Sequence, residues 1–539
     1  MIPAGDDSTY HLRQSVYWLL ICLGAGMMLG RIMAVDSVDR TALAKDRLGR
    51  ISSELDRRKA ELQRQGIEGE ALETELSRME TQLRGDAQLR RPFLSANDRS
   101  RWCTVRALVE PEMRVRGAPY AIDKVIQDPN GDTIDMVKHD GHLYSSKPPL
   151  LATLMAGLYW IVYHFVGLTL GGQPFVVGRI MLVVINLIPL VACFVLLARL
   201  ADRFGASDWG RLFVMAGATF GTFLTTFAVT INNHLTAAVC ATAAVYYVVP
   251  IWHDGQRRVH YFLLAGFFGA LMAAFELPAL ALFAVISVIL LCKAPRQTIL
   301  AYIPAAIVVA AAFFATAWIA HGTLAIPYSH RSAGDNWYDY TYQRNGKEIE
   351  SYWRHPTGID LGEQSQAAYA LNVLVGHHGI FSLTPIWLIT VAGIIIALCP
   401  GQDRSGPKGD GPIFADHADQ RVRVGARTVP AKIGTVPGLR QWAAIVGGVS
   451  VICIVFYVCR PLVERNYGGM TSGFRWVFWL APLWLLMTLP ALDLLSKRRW
   501  TRAVALLLLV FSVVSASYPT WNPWTNPWIM DFAQYLQGK

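Results

Sequence analysis

Long apolar runs, separated by polar segments, are the feature that most constrains this chain. They are roughly 18 to 25 residues long, which is enough to cross a hydrocarbon core of about 30 Å. Only 16% of the 539 residues are charged and the mean hydropathy is +0.32, whereas about a quarter of the residues in an ordinary soluble domain are charged. A soluble globule and a small secreted scaffold are therefore excluded, and the sequence predicts an all-α polytopic membrane protein.

Charge and cysteine content indicate which partners and which cross-links to expect in this membrane protein. The formal net charge is +10, and in a membrane protein a basic surplus indicates cytoplasmic loops that face anionic lipid. Because the sequence has no basic stripe with interleaved aromatic residues, we expect no nucleic-acid partner. The eight cysteines form neither a CxxC motif nor a loop pair, so neither a disulfide framework nor a zinc site is expected.

The N-terminal part of the chain contains two different kinds of segment. Residues 1–34 include an apolar run, Ser15 to Gly30, which lacks a small-residue cleavage site and is predicted to be a tail and a retained transmembrane helix. Residues 35–90 are charged, with apolar residues at helical spacing and a break at Gly66, and predict an external helical hairpin or short coiled coil. The apolar positions of this pattern are Leu48, Ile51, Leu55, Leu62, Leu72, Leu76, Met79 and Leu83.

Further divisions follow from the alternation of apolar runs and polar segments. The sequence shows neither an internal repeat nor a low-complexity tract. The expected divisions are an external catalytic loop with an interfacial helix (91–174), a transmembrane core (175–320), an external loop (321–378) and C-terminal transmembrane helices (379–539) that include a cytoplasmic loop (400–440).

The positions of Lys and Arg set the expected orientation in the cytoplasmic (inner) membrane. If every apolar run crossed once, the basic segments 199–211 and 253–260 would lie outside, although basic loops tend to stay cytoplasmic. The conflict disappears if run 148–171 lies along the outer interface and run 261–293 is a hairpin of two short helices turning at Glu276-Leu277-Pro278. This arrangement predicts about 11 transmembrane helices, with the C-terminus and the candidate site on the external, periplasmic side.

Residues capable of chemistry concentrate in the first external loop. A carboxylate near interfacial cations suits the deprotonation of a hydroxyl while the cations hold a phosphate. The competing interpretation is that these are solvated loop charges. The candidates in this loop are Asp98, Arg101, Asp135, His142, Tyr144 and Lys147.

Polar residues from distant parts of the chain are expected on the same side of the membrane. Polar groups at that depth are costly and are usually functional. Two of these residues also have a structural explanation. An Asn before an apolar run, such as Asn233, can cap a helix, and Glu276 can lie in water at a hairpin tip. The candidates for substrate or phosphate contact in this group are Asn233, His234, Glu276, Tyr467 and Arg475.

The order of these features resembles a known superfamily. One membrane span, an external Asp and then Tyr-x-x-Lys-Pro-Pro-Leu at 144–150 are similar to the GT-C superfamily of integral-membrane glycosyltransferases. The resemblance points to the branch of protein O-mannosyltransferases and lipid A aminoarabinose transferases, and to its uncharacterised bacterial relatives. Three further stretches resemble that branch more weakly: 230–234, 265–278 and 466–475.

The resemblance implies a GT-C-like helix bundle and a function. Such enzymes move a sugar from a polyprenyl-phosphate donor to an acceptor outside the cytoplasmic membrane, and here the acceptor would be an envelope glycan, lipid or protein. Asp98 matches the family's loop Asp, which acts as base or orients the acceptor, and Lys147 matches the lysine that contacts the donor phosphate. The chain departs from the family at Arg99, where many relatives have Glu, and in the inserted hairpin at 37–90.

The implied reaction requires no cofactor. When a lipid phosphate leaves, direct displacement by an acceptor hydroxyl needs one base and inverts the anomeric centre. No spacing in the sequence demands a metal, although an arrangement of Asp98, Asp135 and Glu276 around a divalent cation stays open. The cations expected to offset the phosphate charge are Lys147, Arg101 and Arg475.

Other functions stay open at this level. A transporter or flippase of a lipid-linked sugar would usually show paired internal repeats. A non-catalytic membrane scaffold would act through the 37–90 hairpin, which we expect to mediate self-association or to dock on the external domain. Within the enzyme class, a polymer ligase that uses a diphosphate-linked donor is a further alternative.

Overall fold

The computed structural model describes most of the chain and is predominantly helical. The described residues are 4–35, 40–86, 93–128, 131–332, 334–399, 438–519 and 522–537. The predicted cytoplasmic loop 400–440 therefore lies outside the described residues except for its last three positions.

Long apolar helices dominate the described part of the chain. Within it, eight helices are long and apolar enough to cross a membrane, or nine if a pair bent by 42° is one span. The chain is thus an all-α polytopic membrane protein, as predicted. In chain order, the helices are α1 (Ala4–Ala34), α2 (Arg40–Arg64), α3 (Glu70–Asp86), α4 (Ala96–Val109), α5 (Pro149–Val166), α6 (Pro174–Phe204), α7 (Asp208–Val229), α8 (Asn233–His253), α9 (Val259–Phe275), α10 (Leu277–Lys293), α11 (Pro295–His321), α12 (Gln366–Leu374), α13 (Ile386–Leu398), α14 (Leu439–Val458), the bent pair α15 (Arg475–Met487) and α16 (Leu489–Leu495), α17 (Arg499–Ser517) and α18 (Trp528–Leu536).

The predicted hairpin in run 261–293 is present. The chain breaks at Glu276, where extended backbone separates α9 from α10. At Gly266 the α9 backbone approaches the Tyr302 carbonyl so closely that a Cβ would lie 2.2 Å from it, and small residues of this kind let helices pack tightly in membranes. The helices α9, α10 and α13 are apolar but too short to be counted as membrane spans by their length. The count of about 11 transmembrane helices therefore stays a prediction.

The charged insertion forms two helices, α2 and α3, as predicted. The break falls at Gly66 and Gly69, both of which have positive φ and so favour glycine. Ile51, Leu62 and Leu72 are buried, which agrees with an apolar seam between the two helices. A coiled coil and a role in self-association stay predictions.

Small antiparallel strand pairs build the polar segments around α4. The pair β1 (Met136–His139) and β2 (His142–Ser145) leads into α5. In the 321–378 loop, β3 (Arg331–Ser332) pairs with β4 (Asp335–Asn336), and β5 (Thr341–Arg344) pairs with β6 (Lys347–Glu350). Aromatic residues of this loop pack against β1 and β2, so the first external segment and the 321–378 loop form one unit.

Direct contacts join the basic segments at one end of the bundle. Arg13, near the start of α1, forms an ion pair with Asp202 at 3.0 Å. The other contacts that join these segments are Arg203 with Asp254, Arg257 with the Lys293 carbonyl, Ser207 with Asp493, and Trp442 with His253. The segments assigned to the cytoplasm by their basic residues therefore meet at one end, opposite the polar segments described below.

Both ends of α5 contact the first external segment. Its first turn follows directly on β2, and beyond its last turn the Leu170 amide donates to the Glu110 carboxylate at 3.2 Å. In mid-helix the Tyr159 hydroxyl also donates to Glu110, at 2.7 Å. A helix that crossed the membrane would carry Leu170 to the opposite face, so these contacts agree with the predicted interfacial placement.

Candidate active site

A cavity of about 640 Å³ lies where the polar segments meet the ends of the apolar helices. Its walls combine polar and charged residues from α4, α8, α15 and the 321–378 loop with apolar residues from α5, α9, α11 and α14. The predicted site residues that line it are Arg101, Asp135, Lys147, Asn233, His234, Glu276 and Arg475.

Arg101 is held at the cavity wall by amide groups rather than by a carboxylate. Its Nη1 donates to Asn97 Oδ1 at 2.5 Å, and its Nη2 donates to Asn233 Oδ1 at 2.9 Å. Arg101 is almost fully buried, and this burial lowers the pKa of its guanidinium, although nearby acids oppose the shift. A buried cation of this kind attracts an anionic ligand.

Arg475 is the second buried cation, and its guanidinium is fixed on three sides. Its Nη2 and Nε donate to the Gly468 carbonyl at 2.7 and 3.1 Å, and its Nη1 lies 2.8 Å from His234 Nε2. The Trp524 ring lies 4.9 Å from the guanidinium carbon. Gly468 adopts a positive φ of 90°, which allows its carbonyl to face Arg475 in this tight turn.

A hydrogen-bonded chain connects the two arginines. Asn233 accepts from Arg101 and donates to Glu276 Oε1 at 2.6 Å. Glu276 is also paired with His234 Nδ1. Because a guanidinium only donates, His234 Nε2 accepts from Arg475, which assigns the imidazole proton to Nδ1, the nitrogen that lies beside Glu276. Residues from α4, α8, the hairpin tip and α15 thus form one continuous network.

The Asn232-Asn233-His234 sequence supplies both a helix cap and cavity-lining residues. The Asn232 side chain caps α8 by accepting from the Leu235 amide at 2.8 Å. Asn233 and His234, on the first turn, line the cavity instead. Glu276, whose alternative was a solvated hairpin tip, is 4% exposed and belongs to the network.

Asp135 and Lys147 form a buried ion pair at the cavity. Lys147 Nζ lies 2.6 Å from Asp135 Oδ2, and the Ser146 hydroxyl donates to the other carboxylate oxygen. Burial alone would raise the pKa of Asp135, but the Lys147 charge and the two hydrogen bonds outweigh it and lower the pKa. The Tyr328 ring lies 5.3 Å from Lys147 Nζ and also lines the cavity. Lys147 therefore reaches the cavity with its charge already compensated in part.

Asp98, the predicted catalytic base, lies elsewhere. It is not among the described residues that line the cavity, and it is 2% exposed. Its carboxylate accepts from Thr230 Oγ1 at 2.9 Å, Trp102 Nε1 at 2.8 Å and the Ile231 amide at 3.2 Å. Burial raises its pKa to about 6. A carboxylate with three protein donors joins α4 to the turn before α8. The catalytic role predicted for Asp98 from sequence stays a prediction.

Three other predicted contact residues also lie away from the cavity lining. His142 pairs with Asp123 at 3.4 Å on the outer surface. Tyr144 is buried beside Val137 and Trp337, where β2 packs against the 321–378 loop. Tyr467 adopts a positive φ of 57° and stacks on His378, 4.6 Å between ring centroids, while the neighbouring glycines face the cavity. The substrate contacts predicted for these three residues stay predictions.

The 321–378 loop supplies cavity residues that the sequence-based site set omits. From sequence, its aromatic residues suit either sugar stacking or a belt at the membrane interface; in the structure several of them are buried in the external unit and others line the cavity. The available signal was the density of Tyr, Trp and Arg in a segment expected on the same side as Asp98. The omitted residues are Tyr328, Arg331, Tyr338, Trp353 and Asp360.

The carboxylates do not converge on one point. Asp98 is bonded to Thr230, Asp135 to Lys147, and Glu276 to His234 and Asn233. Among the described residues, no group of three or more His, Cys, Asp or Glu side chains could hold a metal ion. The geometry therefore does not form the arrangement of Asp98, Asp135 and Glu276 around a divalent cation that the sequence left open.

Comparison with known proteins does not assign this chain to a family. No model of a known protein family matches the chain, and no curated protein matches it. A similar solved structure is the archaeal oligosaccharyltransferase AglB from Archaeoglobus fulgidus in complex with an inhibitory peptide and a dolichol-phosphate. The alignment covers 80% of this chain and 56% of that one, with 11% identity and a TM-score of 0.30. A TM-score this low carries no argument about function.

Proposed function

We propose that this protein is a membrane glycosyltransferase of GT-C type that moves a sugar from a polyprenyl-phosphate donor to an acceptor, with inversion at the anomeric carbon. The observation that carries the proposal is the pairing of two buried arginines, Arg101 and Arg475, at one cavity. Neither has a carboxylate partner within ion-pair distance among the described residues. Two buried guanidiniums that form no direct ion pair suit a phosphate, which they recognise through charge-assisted hydrogen bonds.

The apolar residues that line the cavity suit the lipid part of such a donor. They come from several helices, and Leu277 at the hairpin tip is 61% exposed. In a membrane protein, an apolar surface that continues from a cationic pocket can hold an acyl or prenyl chain while the phosphate stays in the pocket. These apolar residues are Leu150, Leu151, Phe275, Leu277, Phe313 and Phe456.

The reaction follows from this placement. An acceptor oxygen attacks the anomeric carbon, the bond from that carbon to the phosphate oxygen breaks, and the acceptor proton passes to a carboxylate. Arg101 and Arg475 stabilise the negative charge that grows on the leaving phosphate. Lys147, which the family resemblance assigns to the donor phosphate, lines the same cavity and adds a third cation. Asp98 in this scheme positions α4, and with it Arg101.

The membrane side follows from charge. The basic segments that meet at one end of the bundle would face the cytoplasm, so the cavity at the opposite end would open on the external side. Donor, acceptor and product would then meet outside the cytoplasmic membrane, and the 321–378 loop would cover the site from that side.

Turnover by the purified protein tests the proposal. Proteoliposomes would receive a panel of radiolabelled polyprenyl-phosphate sugars, and the release of polyprenyl phosphate would be measured with a cell-envelope extract as acceptor. We expect release by the parent protein and weaker donor binding in Arg475→Gln, because a charge-assisted hydrogen bond contributes about 1.5 to 3 kcal/mol. Arg354→Gln is the control, since Arg354 pairs with Asp339 on the surface.

The same assay separates the alternatives. A flippase would move the donor across the bilayer with its sugar–phosphate bond intact. A scaffold would leave the donor unchanged and in place. Intact donor with every member of the panel, from protein that is folded and binds polyprenyl phosphate, would contradict the enzymatic proposal.

A further inference from the structure

Four carboxylates line the cavity, and they differ in how their charge is compensated. Asp135 is paired with Lys147, and Glu464 with Arg460. Glu276 is bonded to His234 and Asn233. The fourth is Asp360, in the 321–378 loop, which has no cationic or histidine partner within bonding distance among the described residues.

Asp360 is held by two neutral donors. The Tyr352 hydroxyl donates to its Oδ2 at 3.0 Å, and Asn466 Nδ2 donates to its Oδ1 at 2.9 Å. Each carboxylate oxygen can accept more than one hydrogen bond, so both keep acceptor capacity that faces the cavity. In the chain, Tyr352 precedes α12 and Asn466 follows it. Together these two donors fix the direction of the carboxylate.

Two aromatic side chains and an arginine line the cavity together with Asp360. The Tyr338 hydroxyl and the Trp353 indole nitrogen are buried and have no hydrogen-bond partner among the described residues, and both side chains line the cavity. The Arg331 guanidinium lies 4.9 Å from each of these rings. These two polar atoms have almost no accessible surface in the cavity wall. The aromatic side chains and the Arg331 guanidinium are the groups that a hydroxyl-bearing ligand in the cavity can contact.

We infer that Asp360 is the catalytic base of the proposed transfer, and that Arg331, Tyr338 and Trp353 bind a hydroxyl-bearing acceptor beside it. This inference rests on the proposed function and assigns the acceptor side of the same cavity. Arg101, Lys147 and Arg475 would hold the donor phosphate on the side formed by α4, α8 and α15. The sugar would then lie between the two sides, next to Tyr328.

The step balances without a further reactant. The acceptor oxygen forms a bond to the anomeric carbon, and the bond from that carbon to the phosphate oxygen breaks. The bonding electron pair leaves on the phosphate oxygen, and the acceptor's proton moves to the Asp360 carboxylate. Water can return that proton to solvent because Asp360 is only partly buried.

The environment of Asp360 is also consistent with a role as a general base. Burial raises its pKa, and the charge of Asp135 adds to the rise. The hydrogen bonds from Tyr352 and Asn466 and the charge of Arg331 oppose it. A carboxylate whose pKa lies above its ordinary range accepts a proton from a hydroxyl more readily.

A test uses water as the simplest hydroxyl acceptor and azide as an anionic one. Purified full-length protein would receive the radiolabelled polyprenyl-phosphate sugars, and release of polyprenyl phosphate would be followed for the parent, Asp360→Ala and Asp360→Asn. Asp339→Asn is the matched control, because Asp339 is an exposed acid of the same loop that pairs with Arg354. In Asp360→Asn the introduced amide can still donate to the Tyr352 hydroxyl, which keeps the local hydrogen bonds and hence the fold.

We expect hydrolysis to fall by about 10²- to 10⁴-fold in both Asp360 variants, as removal of a general base does, with donor affinity unchanged. Sodium azide should restore release in Asp360→Ala and yield a glycosyl azide, because azide attacks without losing a proton. Hydrolysis within about threefold of the parent, or loss of donor binding without azide rescue, would overturn the assignment of Asp360 and leave the proposed function standing. A folded parent that releases nothing from any donor, with water or azide, overturns both.

Discussion

The Asp98 carboxylate accepts a hydrogen bond from the Thr230 hydroxyl at 2.9 Å, across 132 positions of the chain. With two further bonds from Trp102 and Ile231, it fastens α4 to the turn that precedes α8. That turn presents Asn233 and His234 to the cavity. The hydrogen bonds of Asp98, which the sequence predicts as a catalytic base, therefore hold two parts of the fold together.

Asp98→Ala should destabilise the protein, while Asp98→Asn should keep both fold and turnover. Truncation leaves buried donors on Thr230 and Trp102 without an acceptor, at about 1 to 3 kcal/mol for each. An amide in place of the carboxylate can still accept from Trp102 and can donate to Thr230. Apparent Tm and donor turnover of the purified variants check this, with the exposed Asp140→Asn as control. Folded Asp98→Asn protein without turnover would return Asp98 to the role of base.

Stability should also depend on pH through Asp98. Burial raises its pKa from 3.8 to about 6, so the folded state binds a proton more tightly than the unfolded state. The stability contributed by this group is therefore fully present below the unfolded pKa and is lost as the pH rises through the folded one. We expect the Tm of the parent to fall relative to that of Asp98→Asn between about pH 4 and pH 7. Parallel Tm curves for the two proteins would contradict the raised pKa.

The Asp135–Lys147 pair should show strong coupling. Lys147→Met leaves Asp135 charged and buried, and breaking a buried pair in this way costs about 3 to 5 kcal/mol. Adding Asp135→Asn should restore most of the stability but not the donor affinity, since the cation is still missing. Thermal unfolding and donor binding of the two single variants and the double variant measure this, with the exposed Lys347→Met as control. Additive effects on stability would show that the pair is not coupled.

Cysteine labelling tests the orientation. Single cysteines would replace Arg258, in a basic segment, and Glu348, in the 321–378 loop, both of which are exposed. The native cysteines would be replaced beforehand. In intact cells, we expect an impermeant maleimide to react at position 348 and not at position 258. The reverse pattern would place the cavity on the cytoplasmic side.

The apolar runs and the basic segments were enough to predict the helices of the bundle. The break at Glu276 followed from the length of one run and from Pro278, and the break at Gly66 followed from an interrupted helical period. Both signals are local, since they depend on residues adjacent in the chain. The convergence of 91–147 and 232–234 on one end followed from charge, which is equally visible in a single sequence.

The composition of the site depended on side-chain direction, which the sequence does not carry. Tyr467 and Gly468 are adjacent, yet one stacks on His378 and the other faces Arg475. Asp360 has no motif around it, and it reaches the cavity only because the 321–378 loop folds back against Asn466. Asp98 is bonded to Thr230, and Asp360 to Asn466, across more than 100 positions of the chain. The hydrogen-bond partners of each carboxylate therefore depend on contacts that are distant in the sequence.

Two arginines at each end of the bundle differ in their partners. Arg13 and Arg203 have carboxylate partners, whereas Arg101 and Arg475 are buried together without them. Two like charges held in a poorly solvated place repel each other, and the charges of Asp135 and Glu276 offset part of that repulsion. A phosphate-bearing lipid would offset more of it, so occupancy of the cavity and rigidity of the helix ends around it should rise together.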